Sequence, residues 1–178
     1  MRTTNRPYWQ LGYSAVVALL LLTSCGGNPV TGPRSSLNSR YADTQPTLSA
    51  DGRFLALISE RNQRQEILLY DLQAQQFVNL PHLRELSLMP ESPSLSASAR
   101  YLVYTSIIRG RPEVYLYDRQ IQRAVSLTAT YDGWVRHPSI SPEGRYITFE
   151  TSRRGQWDIE VIDRGPDIEL DTPARSPS

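Results

Sequence analysis

The chain contains no lysine; each of its 19 basic residues is an arginine. That absence excludes a phosphate-loop lysine, a Schiff base and a Ser-Lys dyad, because each needs an amine that a guanidinium cannot replace. Histidine is scarce as well. His82 and His137 have no cysteine or second histidine at ligand spacing, so neither a metal site nor a cofactor is expected, and both read as surface loop residues. No Gly-x-Ser-x-Gly elbow occurs, which removes the usual hydrolase nucleophile. The single cysteine, Cys25, leaves no partner for an intrachain disulfide. Formal net charge is only +1, so no basic surface for nucleic acid is implied. Together the absences predict a chain that is not an enzyme.

What is present begins with the amino terminus. Residues 1–10 carry Arg2 and Arg6 and no acid, residues 11–22 are almost wholly apolar, and Thr23 and Ser24 are small. The first acid is Asp43. A basic start, an apolar run of about 7–15 residues and a small-residue exit describe a secretory signal, and such a run falls short of the roughly 20 residues that span a bilayer. The stretch that follows is rich in Gly, Pro, Ser and Asn, which cannot bury enough apolar surface to offset its ordering entropy. Residues 25–34 are therefore expected to be a flexible tether, and residues 172–178 a disordered tail.

The sequence "LTSC", residues 22–25, resembles the lipobox of bacterial lipoproteins. The resemblance implies cleavage before Cys25 and lipidation of its thiol. It also implies an extracytoplasmic protein held at the membrane of the cell envelope by acyl chains. At about 0.8 kcal/mol per buried methylene, two or more chains anchor stably where one is marginal.

Three stretches then align without gaps: "PTLSADGRFLALIS" from Pro46, "PSLSASARYLVYTS" from Pro93 and "PSISPEGRYITFET" from Pro138, spaced 47 and 45 residues apart. Twenty residues after each proline stands Glu66, Glu113 or Asp158, and twenty-five after it Asp71, Asp118 or Asp163. "Ser-Ala-Asp-Gly" and "Ser-Pro-Glu-Gly" suit a tight turn whose fourth residue takes a positive φ. The second repeat has Ser98-Ala99 there, so a looser turn or one of another type is expected. After the turn, "RFLALI", "RYLVYT" and "RYITFE" are apolar on both faces, as in a strand covered from two sides. "EILLYD", "EVYLYD" and "DIEVID" give a further strand each, and residues 76–80 and 124–128 another. "DIEL", residues 167–170, is a weak candidate for the corresponding strand of the third repeat.

Four short antiparallel strands per repeat of about 45 residues is the arithmetic of a β-propeller blade. The expected fold is thus all-β, a propeller-type array of three blades over residues 35–171 (about 45–80, 92–128 and 137–171). The repeat resembles that of the TolB propeller, which also occurs in prolyl-oligopeptidase-like enzymes. The resemblance implies a non-enzymatic module that binds other envelope proteins, such as lipoproteins tied to peptidoglycan. An accessory propeller, or the remnant of a peptidase system, is the alternative. Three blades leave open either a fan in one chain or a six-bladed ring of two chains. The segment 35–39 reads as an orphan fourth strand, for blade one or for blade three.

One candidate binding surface follows. The loops between second and third strands hold Arg61, Arg64, Arg109, Arg111, Arg153 and Arg154, and the inter-blade loop adds Trp134 and Arg136. Propeller geometry places these loops on one end. Either the arginines pair with Glu66, Glu113 and Asp158 beside them, or they face an acidic partner with Trp134 as anchor. Asp71, Asp118 and Asp163 are expected to cap the turns that follow them.

Overall fold

The structure, a computed structural model, describes residues 36–85, 87–108 and 110–171. Cys25, the signal and tether, Arg109 and the tail lie outside the described residues. The first blade is formed by β1 (Asp43–Leu48), β2 (Phe54–Ser59), β3 (Glu66–Asp71) and β4 (Gln76–Val78). The second comprises β5 (Glu91–Leu95), β6 (Tyr101–Ile107), β7 (Pro112–Asp118) and β8 (Arg123–Ser126), and the third β9 (Val135–Ile140), β10 (Tyr146–Thr151) and β11 (Asp158–Asp163). Each sheet follows chain order with antiparallel neighbours. No helix occurs among the described residues.

The proline that opens each repeat sits at a bulge in the first strand. Gln45, Ser92 and His137, the residues before Pro46, Pro93 and Pro138, have φ of 51°, 52° and 50°. The pairing register slips beside each of them. Proline has no N–H for the ladder, so a bulge is where a strand tolerates it. His137 is accordingly a strand residue and not the loop residue expected, whereas His82 does lie in a turn.

The turn after the first strand is the same in all three blades. Gly52 and Gly144 have φ of 70° and 83°, and each N–H bonds back to the serine three residues earlier. Ala99 adopts φ of 57° with the same bond to Ser96, correcting the expectation of a looser turn. A left-handed alanine costs about 1–2 kcal/mol, so something else must hold it. What holds it comes from the far end of the chain. Asp171 accepts hydrogen bonds from Ser96 Oγ at 2.6 Å, from the Ser98 N–H at 2.7 Å and from Ser98 Oγ.

The same contact explains a second correction. Residues 167–170 form no fourth strand, and the third sheet stops at three. Beyond Pro166 the chain turns back: the Asp171 N–H donates to the Glu143 carbonyl, and Tyr101 Oη donates to that of Glu169. Residues 36–40 are not a strand either.

Alternation along the strands assigns one face of each blade to the next. Phe54, Ala56, Ile58, Ile67 and Leu69 of the first blade bury against Leu102, Tyr104, Tyr115 and Tyr117 of the second. One step along, Tyr101, Val103, Val114 and Leu116 bury against Ile147, Phe149 and Ile162. Full burial of each large side chain contributes about 1.5–3 kcal/mol, so the two inter-blade layers hold the array together.

Candidate functional site

Each third strand ends in an aspartate that does two things. Asp71 Oδ1 accepts from the N–H groups of Gln73 and Ala74, Asp118 Oδ1 from Gln120 and Asp163 Oδ1 from Gly165, which is the expected turn cap. The other oxygen takes an arginine: Arg53 at 2.7 Å, Arg100 at 3.4 Å and Arg145 at 2.8 Å. The arginine and the N–H groups hold two of these carboxyls low. For Asp163, the Arg145 bond and the Gly165 N–H bring it to about 2. Burial would raise Asp71, yet Arg53 and the two N–H groups outweigh it. The sequence carries this pair as an arginine seven residues, and an aspartate twenty-five residues, after each proline. That recurrence was the signal available for finding it.

At the opposite end, the described rim arginines are almost all engaged within the chain. Arg61 binds Asp43 at 3.0 Å and Ser59 Oγ at 2.9 Å, donates to the Leu37 carbonyl and lies over the Phe77 ring. Arg64 donates to the Arg84 carbonyl at 2.9 Å and Arg111 to that of Ala129 at 2.8 Å, so both tie down inter-blade linkers. Arg153 meets Glu160 and the Tyr131 ring, and Arg154 meets Asp158. Of the three acids expected to pair with them, only Asp158 does so. Glu66 is bonded by Asn62 and approached by Arg84, while Glu113 accepts from Ser126 Oγ and Tyr115 Oη. Both glutamates are buried.

The aromatic part of the rim is different. Trp134 is 58% exposed and Trp157 46% exposed. Between the second and third blades they flank a cleft of about 280 Å³, floored by Thr105, Ser106 and Val135. Arg136 stacks on Trp157 with its guanidinium carbon 3.9 Å from the ring centroid, and its Nε bonds Glu150 at 2.6 Å. His137 Nδ1 lies 3.1 Å from the other Glu150 oxygen. Arg136 first and His137 second hold the Glu150 carboxyl below its ordinary range. Trp134 is fixed by mutual hydrogen bonds with Ser152. The preceding residue, Gly133, has φ of 115°, and a Cβ there would lie 2.8 Å from the Arg153 backbone. Only glycine lets the linker press so close and present the indole outward. Trp157 was passed over in the sequence, where it is one residue of the "SRRGQW" loop with no counterpart in the other repeats. What the arrangement offers is a rigid apolar slot with two indole faces, a stacked cation and a carboxylate, suited to binding.

No family model matches the sequence, and no curated protein is similar to it in sequence. Solved structures are similar in fold. TolB from Acinetobacter baumannii superposes on 72% of this chain and 31% of its own, with 22% identity and a TM-score of 0.56. A putative TolB from Agrobacterium tumefaciens gives 74%, 47%, 22% and 0.58 for the same quantities. The architecture is a TolB-type propeller array. A prolyl endopeptidase aligns with 73% of this chain and 22% of its own, at 12% identity and a TM-score of 0.53. The chain thus corresponds to less than half the length of any of these three structures.

Proposed function

We propose that the chain is a non-enzymatic cell-envelope protein, anchored by lipid on Cys25, whose propeller array docks another envelope protein. The observation that carries this reading is the exposed Trp134 and Trp157 pair at the blade junction, with Arg136 stacked between indole and carboxylate. Tryptophan and arginine are the side chains most enriched where binding energy concentrates. The lipobox and the basic-apolar-small order of residues 1–24 support export and anchoring. The TolB-type fold supports a role in docking proteins that are themselves held in the envelope, lipoproteins tied to peptidoglycan among them. The likeness to a prolyl endopeptidase favours the second reading, an accessory propeller beside a peptidase.

Two experiments test the proposal. Affinity capture from envelope extracts with the wild-type chain and with Trp134→Ala should recover a protein partner with the first and lose it with the second. Equal recovery would remove the rim from the reading, and capture of an α/β-hydrolase would move it to the second. Cys25→Ala should accumulate as an uncleaved precursor without acyl label, since no thioether can form. A variant processed and labelled like wild type would end the anchoring claim.

A further inference from the structure

The two inter-blade layers use the same positions of the repeat, and a third copy of each half is present without a described mate. The face of the first blade that buries against the second carries Phe54, Ile67 and Leu69. In the third blade these positions are Tyr146, Ile159 and Val161, which are 40%, 67% and 59% exposed. The face of the second blade that receives the first carries Leu102, Tyr104, Tyr115 and Tyr117. In the first blade these positions are Leu55, Leu57, Leu68 and Tyr70, equally apolar; Leu57 and Tyr70 are buried, while Leu55 and Leu68 are half-buried with Leu55 lining a cavity beside Leu37. A bare Ile-Val pair on a strand is unusual for a free surface. We propose that a second copy of this chain covers it, the third blade of each copy packing on the first blade of the other to close a six-bladed ring.

A repeated clasp supports the choice of occupant. Arg119, just after the third strand of blade two, lies 4.6 Å from the Phe54 ring of blade one and donates to its own blade's Ala99 carbonyl. Arg164, at the same position of blade three, lies 4.3 Å from the Tyr101 ring of blade two and donates to Gly144. The next aromatic in the series is Tyr146, and the residue that a first blade brings to it is Leu72, itself exposed. An apolar residue thus stands where the clasp would meet an exposed tyrosine. At the closing junction Leu72 takes the place of the arginine, so its contact with Tyr146 would be apolar.

Linkers of twelve and eight residues join β4 to β5 and β8 to β9. β11 has no outer neighbour among the described residues. The linker carbonyls nine residues before Pro93 and Pro138 are each gripped by an arginine of the preceding blade, Arg64 and Arg111. Nine before Pro46 is Leu37. Its carbonyl accepts from Arg61 of its own blade, and the third blade carries Gln156 at the position of Arg64 and Arg111. Six blades lie within the range of about four to eight that close a propeller, and closure removes both open edges.

Sedimentation of the full chain in detergent, corrected for bound detergent, should give twice the chain mass at micromolar concentration. Ile159→Glu, at an exposed position, should shift it to the single-chain mass with an unchanged far-ultraviolet dichroism spectrum. Should that variant fail to fold, cysteine pairing decides: with Cys25 replaced by Ser, Leu72→Cys together with Tyr146→Cys should give an intermolecular disulfide under mild oxidation, whereas either alone should not. A single-chain mass at all concentrations, a dimer that survives Ile159→Glu intact, or the absence of that crosslink would each overturn the ring.

Discussion

The carboxylate of Asp171 accepts the backbone N–H of Ser98 at 2.7 Å across 73 residues of chain. Ser98 stands where the first repeat has Asp51, whose own Oδ1 accepts from Ser49 Oγ and the Arg53 N–H. The second blade therefore lost its local turn acid and receives one from the carboxyl-terminal segment, which at the same time fastens that segment to blades two and three.

This relationship makes the turn removable and repairable. Asp171→Ala should lower stability by about 1–3 kcal/mol, the cost of leaving buried donors without an acceptor. Introducing Ser98→Asp with Ala99→Gly should recover most of that loss by restoring the turn acid locally and relieving the left-handed alanine. Urea denaturation midpoints of the four chains check the cycle; a repair that gives no recovery would mean Asp171 acts elsewhere.

The same carboxylate should show in acid. Burial pushes Asp171 up, but the Ser96 and Ser98 hydroxyls and the N–H groups of Ser98 and Arg100 hold it below its ordinary value. A carboxyl depressed in the folded state stabilises above its unfolded value of about 3.9 and loses that contribution as pH falls through the folded value. The stability difference between wild type and Asp171→Asn should thus be constant from about pH 7 to 5 and shrink below about pH 4. Denaturation midpoints measured across that range read it directly.

Gly133→Ala should be among the more damaging single-methyl changes. It combines φ of 115° with a Cβ 2.8 Å from the Arg153 backbone. Left-handed strain alone costs on the order of 1–3 kcal/mol, and here the linker must also move. Loss of stability together with a changed Trp134 fluorescence maximum is expected; Gly110→Ala, where a Cβ meets nothing within 4 Å, should leave that fluorescence unchanged.

The rim arginines should divide. Glu160 is largely covered and faces Arg153, so Arg153→Ala should cost about 1–3 kcal/mol by stranding that carboxylate. Arg154 and Asp158 form a pair whose arginine is well exposed, and Arg154→Ala should change stability by less than about 1 kcal/mol. Because most of the described guanidinium groups already have partners, binding at the rim should depend only weakly on salt. Trp134→Ala should act chiefly by speeding dissociation, as loss of an aromatic anchor does. Surface plasmon resonance at two ionic strengths with the captured partner checks both.

Much of the fold was legible because it is encoded locally. The period from Pro46 to Pro138, the alternation in "EVYLYD" and the Ser-x-x-Gly turns each act within a few residues, and backbone geometry turns them into strands and turns wherever they occur. Asp71, Asp118 and Asp163 could be read as turn caps because their N–H partners lie two or three residues on. The site was less legible. Arg61 has acids on both sides in sequence and chooses Asp43, which the β1–β2 pairing brings beside it. Trp157 acquires meaning only because Arg136, from another strand, stacks on it.

The sequence by itself determined the element types, the number of repeats and the positions that face the neighbouring blades, since periodicity is a property of the chain. Tertiary structure decided what pairs with what. It sent residues 164–171 back toward Ser98 in place of a fourth strand, and it committed the arginines to carboxylates and carbonyls that no spacing identifies. Those outcomes depend on which groups meet across sheets, where a desolvated donor takes the nearest acceptor in space, however distant along the chain.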